Sequence, residues 1–510
     1  MKLDQADLRF GWTLLKLLLT RLLILVPCSP WRPQSLLLLL ALFLFPTRSS
    51  WGSAFSVLEI GVRATGMGTA FTAVANDVSA LYYNPAGIGF FQGTQLQMDT
   101  VVIAGVFHFV PSSMPPGTIV PEDGFNGLNR LKYQPVGSLF ASHQLSSKLT
   151  LGFGMFMPFG LSGNFTNFND SDPAQIKYVG RFAGTRDRME CMWFQPTIAY
   201  RIMPDASVAI GVALVKNHIL LEQSFLNPLD DGLDFGRSAA SQIFPGMDKD
   251  QAARAIARLL PEGRARIAGT SSSPGVTVGY LYKHPRWKTN FGLMYRSAVT
   301  HHFSGKASFA FTRGSTLEQF LGIDVFEKAF PAQNIKASMT TPATYAIGIA
   351  HSSFWNSTIS FDFRIQDYRR FRDVPINFTV TPQTNSDAVT PAERRLAFDF
   401  RDSYNVAAGF EKPLGRKTVI RAGYLYDRTP VVDKSVGPLF PDSSRHKITA
   451  GLTRVMGSKE LSIFYDFTQF VNRTTNVPNN DKQWTNGNYN NYAQLVGVSF
   501  RFLFGGTGGP

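Results

Sequence analysis

The chain is expected to be all-β: an antiparallel transmembrane β-barrel of about fourteen strands, with a small N-terminal hatch (a plug) inside its lumen. Three observations predict this. From about Gln95 onward, apolar residues alternate with polar or small ones at period two. Short and long connectors take turns between those runs. A segment rich in glycine and alanine and ending in an Asn-Pro-Ala triplet, Gly61 to Gly89, stands between a hydrophobic leader and the first strand.

The leader comes first. With 44% hydrophobic residues and a mean hydropathy of -0.04, the chain is too polar for a helical membrane bundle, whereas alternating lipid-facing and lumen-facing strands average to such a value. Long apolar runs occur only near the start. Trp12 to Val26 is interrupted by Lys16 and Arg21, and Leu36 to Phe45 is about ten residues, too short to span a bilayer. A charged start, an apolar centre and the small residues Gly52-Ser53-Ala54 read as a secretory signal with its cleavage site. Its length leaves two readings: an extended signal, or a start upstream of the true one, with Trp31 to Ser35 opening a shorter signal. Cys28 follows Leu25-Val26-Pro27, but proline is the wrong residue before a lipidated cysteine.

The expected organisation is a leader over 1–54, the hatch over 55–92, the barrel over 93–504 and a tail over 505–510. Cys28 leaves with the leader, so the mature chain keeps Cys191 alone and has no internal disulfide. The leader holds six basic and two acidic residues of a chain whose formal charge is +14, so the mature part keeps +10. Its Lys and Arg are scattered over turns and strand faces rather than clustered, which points to anionic outer-leaflet lipid such as lipopolysaccharide and away from nucleic acid.

The strands follow. Ile359, Phe361, Phe363 and Ile365 alternate with Ser360, Asp362 and Arg364, and Val496, Val498, Phe500 and Phe502 alternate with Gly497, Ser499 and Arg501. A soluble sandwich would show the same alternation. Connector lengths separate the two: tight ones near 146–147, 203–205, 283–287, 352–355, 413–416 and 456–459 interleave with long ones near 110–132, 158–187, 225–272, 313–334, 381–394, 431–442 and 477–489. That asymmetry is the pattern of periplasmic turns and extracellular loops. Tyr200, Tyr280, Tyr282, Tyr295, Tyr424, Tyr426 and Tyr465 lie where interfacial girdles would fall. The longest loop carries the one convincing helix of the mature sequence, Lys249 to Leu260, with Ala252, Ile256 and Leu259 on one stripe. It either caps the extracellular mouth or packs on neighbouring loops.

Several short motifs recur in a fixed order: Gly66, Gly68, Ala70, Phe71, Asp77 and Ala80 before Asn84-Pro85-Ala86-Gly87; Pro158-Phe159-Gly160-Leu161; Gly180-Arg181-Phe182; Pro196 to Arg201; Tyr295-Arg296-Ser297; Arg421 to Tyr424 through Tyr426 to Val431; and Pro441 to Arg445. In that order and spacing, over essentially the whole mature chain, the sequence resembles the FadL-type outer-membrane transporters of long-chain fatty acids and other hydrophobic compounds. The resemblance implies a monomeric, plugged barrel delivered by the barrel-assembly machinery, with passive uptake and no cofactor. It implies that Asn84, Pro85 and Ala86 belong to the hatch. It also implies that the strand carrying Pro158, Phe159 and Gly160 is kinked, so that a greasy substrate leaves sideways into the membrane. Physical chemistry fits both points, because proline donates nothing to a sheet ladder and Asn-Pro favours a fixed turn. Ending a strand before a loop is the other reading of Pro158.

A fatty acid needs an apolar slot and a cation. Phe153, Met155, Phe156, Phe159 and Met192 are the apolar candidates, and Arg181 and Arg296 the basic ones; Arg181 could instead pair with a loop carboxylate. Asp427 and Arg445 flank one loop and could brace it. The alternative substrate is an aromatic hydrocarbon. An acyl hydrolase finds no support: the eight histidines lie at no triad spacing, no G-x-S-x-G elbow occurs and no Cys/His metal cluster is present, so no catalytic or metal residue is expected. An open porin is at odds with the hatch. The final strand, ending on Phe502 and Phe504, is expected to guide insertion although Gly505 to Pro510 follow it.

Overall fold

The computed structural model describes residues 54–112, 127–164, 179–226, 231–311, 319, 322, 326–328, 330–352, 354–379, 393–437, 440–476 and 486–505. The leader, the tail beyond Gly505 and parts of the long connectors lie outside the described residues. The strand segments are β1 (Thr94–Pro111), β2 (Gly127–Gln144), β3 (Leu149–Asn164), β4 (Arg186–Met203), β5 (Ala206–Phe225), β6 (Gly263–His284), β7 (Thr289–Arg296), β8 (Val299–Phe311), β9 (Gln333–Thr341) and β10 (Thr344–His351). They continue with β11 (Thr358–Gln366), β12 (Asp373–Phe378), β13 (Glu393–Ala397), β14 (Ser403–Leu414), β15 (Thr418–Asp427), β16 (Arg445–Met456), β17 (Lys459–Phe470), β18 (Arg473–Thr475) and β19 (Gly487–Phe504).

These segments form a closed 14-stranded antiparallel barrel, because five of its staves are each broken into two pieces: β7 with β8, β9 with β10, β11 with β12, β13 with β14, and β17 with β18. The β9–β10 break falls at Pro342, which has no N–H to give to a ladder. The sheet closes where β1 pairs with β19 from Thr94↔Phe504 to Pro111↔Gly487. Closure removes the outer edges of the sheet and satisfies most of its backbone without water, as a membrane requires. Tight turns at 204–205, 415–417 and 457–458 join strands at one end, two of them through left-handed Gly415 and Gly457.

The alternation is inside out relative to a soluble sandwich. On β11 the apolar Phe361, Phe363 and Ile365 are 54%, 41% and 40% exposed, whereas Ser360, Asp362 and Arg364 are at most 3% exposed. The greasy face therefore meets lipid, and the polar face meets what fills the lumen. That filling is the chain's own N-terminal segment. From Phe55 to Gly89 nearly every side chain is buried, with two short helices, α1 (Val62–Thr65) and α2 (Ala80–Tyr83), and a 3₁₀ turn over Pro85–Phe90. Glycine makes the approach possible. A methyl on Gly423 of β15 would sit 1.9 Å from the Gly68 nitrogen, so two backbones touch there without side chains between them.

The long connector between β5 and β6 holds two helices, where the sequence suggested one. Beside α4 (Lys249–Leu259) lies α3 (Asp231–Ile243). Two glycines, Gly232 and Gly236, hide α3 from propensity. Gly236 packs so close to α4 that a methyl there would lie 2.4 Å from the Ala253 carbonyl oxygen. The stripe of α4 buries Ala252 and Ile256 in a cluster with Phe225, Leu260 and Phe326.

Candidate functional site

Asn84 holds the plug at both ends of its side chain. Its amide nitrogen donates to the Thr72 carbonyl at 2.8 Å and to the Tyr280 carbonyl of β6 at 2.9 Å, while its oxygen accepts from Ala86 N–H at 3.2 Å. Pro85 opens the 3₁₀ turn that this cap begins. Gly279 of β6 gives Asn84 room, since a methyl there would meet the Asn84 oxygen at 2.4 Å.

Pro158 lies where β3 loses its regular pairing. Against β4 the register passes from Phe156↔Trp193 to Phe159↔Cys191, so one extra residue bulges from β3. On the other side, β2 pairs with β3 only from Gln144↔Thr150 to Leu139↔Met155. Beyond Met155 the edge of β3 has no partner in β2. The plug supplies one instead: Val57 N–H donates to the Pro158 carbonyl and Gly160 N–H to the Phe55 carbonyl, each at 2.9 Å. Phe55 packs edge-to-face on Phe159 with 5.8 Å between centroids.

Other contacts fasten the same N-terminal strap. The Ser56 hydroxyl meets the Tyr368 hydroxyl at 2.7 Å and receives the Gln366 amide at 2.8 Å. Asp442, in the loop before β16, accepts the Ala54 N–H at 2.7 Å and the Thr429 hydroxyl. Burial pushes the Asp442 carboxyl up to about 6, against the downward pull of Arg445. Asp427 and Arg445 form an ion pair at 3.0 Å.

Just beside the bulge, the Arg296 guanidinium lies in an aromatic box. It is 4.3 Å from the Tyr82 ring centroid, 5.6 Å from that of Phe156 and 5.5 Å from that of Trp193, and it donates to the Tyr82 carbonyl. Cation–π attraction of this kind strengthens as water is excluded. Six arginines are buried among the described residues, and Arg181, Arg364, Arg421, Arg445 and Arg501 all face a carboxylate. Arg296 has none among the described residues, and its Nε has no hydrogen-bond partner. A buried cation without a counter-charge is costly, so an anion that reached it would be held.

The remaining sequence candidates separate. Phe156 and Phe159 face the lumen, Phe156 stacking between Phe140 and Trp193. Phe153, Met155 and Met192 lie on the opposite, membrane-facing side of their strands, away from the box. Aromatic and methionine content does not reveal strand parity, and the bulge reverses parity within β3. Arg181 joins Glu262 at 2.9 Å near the extracellular end, far along the chain from Arg296. Tyr82 and Trp193 were missed. Trp193 shares the inward parity of Gln195 and Thr197, a readable signal, but nothing local marks Tyr82 as a neighbour of Arg296.

Comparisons with known proteins agree with this architecture. The family model described as outer membrane protein transport protein (OMPP1/FadL/TodX) matches residues 43–504. A protein of Neisseria meningitidis serogroup B is 20% identical over 482 residues, covering 90% of this chain and 96% of that protein. Among solved structures, a Pseudomonas aeruginosa FadL homologue superposes with a TM-score of 0.70 at 17% identity, covering 89% of this chain and all (100%) of the other. The Ralstonia pickettii toluene transporter TbuX superposes with a TM-score of 0.58 at 14% identity, covering 88% and 100%. By its sequence over most of its length, the chain belongs to the OMPP1/FadL/TodX family of outer-membrane transporters of hydrophobic compounds.

Proposed function

We propose that this transporter takes up long-chain fatty acids and releases them sideways into the outer membrane. The observation that carries this reading is Arg296, a buried guanidinium with no carboxylate partner among the described residues, set against three aromatic rings. A carboxylate arriving there gains a charge-assisted hydrogen bond and relieves an uncompensated charge. The acyl chain is drawn out of water by about 0.8 kcal/mol per buried methylene. Transfer needs no energy source, because the tail is better solvated at each apolar step and best in the bilayer.

The exit follows from the same neighbourhood. Phe156 belongs both to the box and to the last regular turn of β3 before the bulge at Pro158. Withdrawal of Phe55–Val57 from the β3 edge would leave unpaired backbone facing the gap beside β2. Asn84, Pro85 and Ala86 keep the plug seated against β6 while that strap moves.

A second reading is uptake of an aromatic hydrocarbon. Tyr82, Phe156 and Trp193 offer ring faces, and the solved structures of similar fold include toluene transporters. The two readings part at Arg296. In a host without its own transporters, labelled oleate and labelled toluene uptake are compared for wild type and Arg296→Leu. The acid reading expects oleate uptake to fall while toluene uptake holds; no oleate uptake by wild type present in the outer membrane would overturn it. Deletion of Asn84–Ala86 tests whether uptake depends on the plug.

A further inference from the structure

On the outward face of the barrel, apolar side chains give way to polar ones at a sharp level. β5 presents Ile210, Val212 and Leu214 and then Lys216; β10 presents Tyr345, Ile347 and Ile349, and its continuation β9 presents Thr340, Ser338 and Lys336. A charge placed in hydrocarbon is costly, so that level marks where the lipid headgroups begin. Above it, on β6, β8 and β9, three cations gather. Ala268 pairs with Lys306, which puts Arg266 two residues along β6 on the diagonal; Ser304 pairs with Lys336, which puts Lys306 and Lys336 on the next diagonal. Diagonal neighbours on one face lie roughly 7–8 Å apart, within joint reach of long side chains. Thr270, Ser304 and Ser308 stand among them as hydroxyl donors, all exposed.

Among the described residues one carboxylate touches this cluster, Glu222, at 3.5 Å from Arg266. Among the described residues Lys306 and Lys336 have no ion pair. On the adjoining β11–β12 stave Arg369 faces Asp402 at 2.7 Å and Arg370 faces Asp367 at 2.6 Å, and in the loop after β15 Lys434 faces Asp399. We infer that Arg266, Lys306 and Lys336 form a binding site for the phosphates of a phosphorylated glycolipid of the outer leaflet. Several cations at this spacing suit a headgroup carrying more than one phosphate, and the acyl chains reach the apolar band past the polar outward positions Ser304, His302 and Thr300 of β8.

The test uses the purified full-length chain in detergent, with bisphosphorylated lipid A and its dephosphorylated form as probes and binding read by native mass spectrometry. Wild type should bind the bisphosphorylated form at least about tenfold more tightly, a difference of about 1.4 kcal/mol. Lys306→Ala/Lys336→Ala should lose that preference, and Lys459→Ala, at the periplasmic end, should keep it. Heat-modifiable migration on gels checks that each variant is a closed barrel. Equal binding of the two lipids by wild type would overturn the site. So would a preference retained by the double variant, or competition by inorganic phosphate as effective as that by the lipid.

Discussion

The two walls that enclose the plug hold it by different physics. Along β11 to β16 the plug is fixed by buried charge. Glu411 of β14 bridges Arg63 of the plug at 2.8 Å and Arg421 of β15 at 2.6 Å, and Lys447 of β16 pairs with Glu59 of the plug. Asp362 of β11 accepts the Phe71 and Thr72 N–H groups at 2.9 and 2.8 Å, and Arg364 beside it joins Thr69. Along β3 to β7 the plug meets rings and backbone: Tyr82 against Phe156, Ile88 and Leu81 against Gly152, and Gln195 on the Leu81 carbonyl at 3.0 Å. Breaking a buried ion pair strands a charge, whereas sliding an apolar contact costs only area. The charged wall anchors and the aromatic wall can yield, which suits the exit proposed beside it.

The sharpest way to break that contrast is Glu411→Ala. It leaves Arg63 and Arg421 facing one another in a buried site, and a loss of about 3–5 kcal/mol in plug stability is expected. Hydrogen exchange over residues 54–91 should rise and single-channel conductance should increase; unchanged conductance would mean that the ionic wall is not the anchor.

Asp442 offers a gentler lever through pH. Its folded-state value of about 6 lies above the ordinary one, so the folded protein holds that proton more tightly. The stabilising contribution is complete below about pH 4 and is lost as pH rises through about 6. Asparagine imitates the neutral carboxyl, so the stability difference between wild type and Asp442→Asn should grow by on the order of 3 kcal/mol between acid and neutral pH. Thermal unfolding of both proteins across that range checks it. Parallel profiles would show that the carboxyl is not charged at a cost.

On the aromatic wall, Arg296→Leu should lower oleate uptake about tenfold, near 1.4 kcal/mol, with folding retained. Arg296→Lys should recover part of it, because the charge returns without the planar stacking face. The smallest effect is expected at the exit, where Pro158→Ala restores an N–H to β3 and should slow uptake a few-fold. Equal uptake would place the exit elsewhere.

Much of this molecule was legible before folding. Period-two alternation, the connector rhythm and the Asn84-Pro85-Ala86 segment specify a plugged barrel, since each is a local pattern with a local physical cause. Arg296 was readable as a candidate because a carboxylate ligand needs a cation and Arg296 lies in the Tyr295-Arg296-Ser297 motif. Its meaning was not readable: Tyr82, whose carbonyl it reaches, is 214 residues away in sequence. Nor was parity at β3 readable, where one bulged residue turns Phe159 inward while Phe153 and Met155 face the membrane. The gap beside β2, the guanidinium with no carboxylate among the described residues and the diagonal set of Arg266, Lys306 and Lys336 all depend on register between strands distant in sequence. The sequence by itself determined which residues alternate and where the chain turns. Only the tertiary structure decided which face was inside and which charges found partners, because pairing energies are set by neighbours that closure of the sheet brings together.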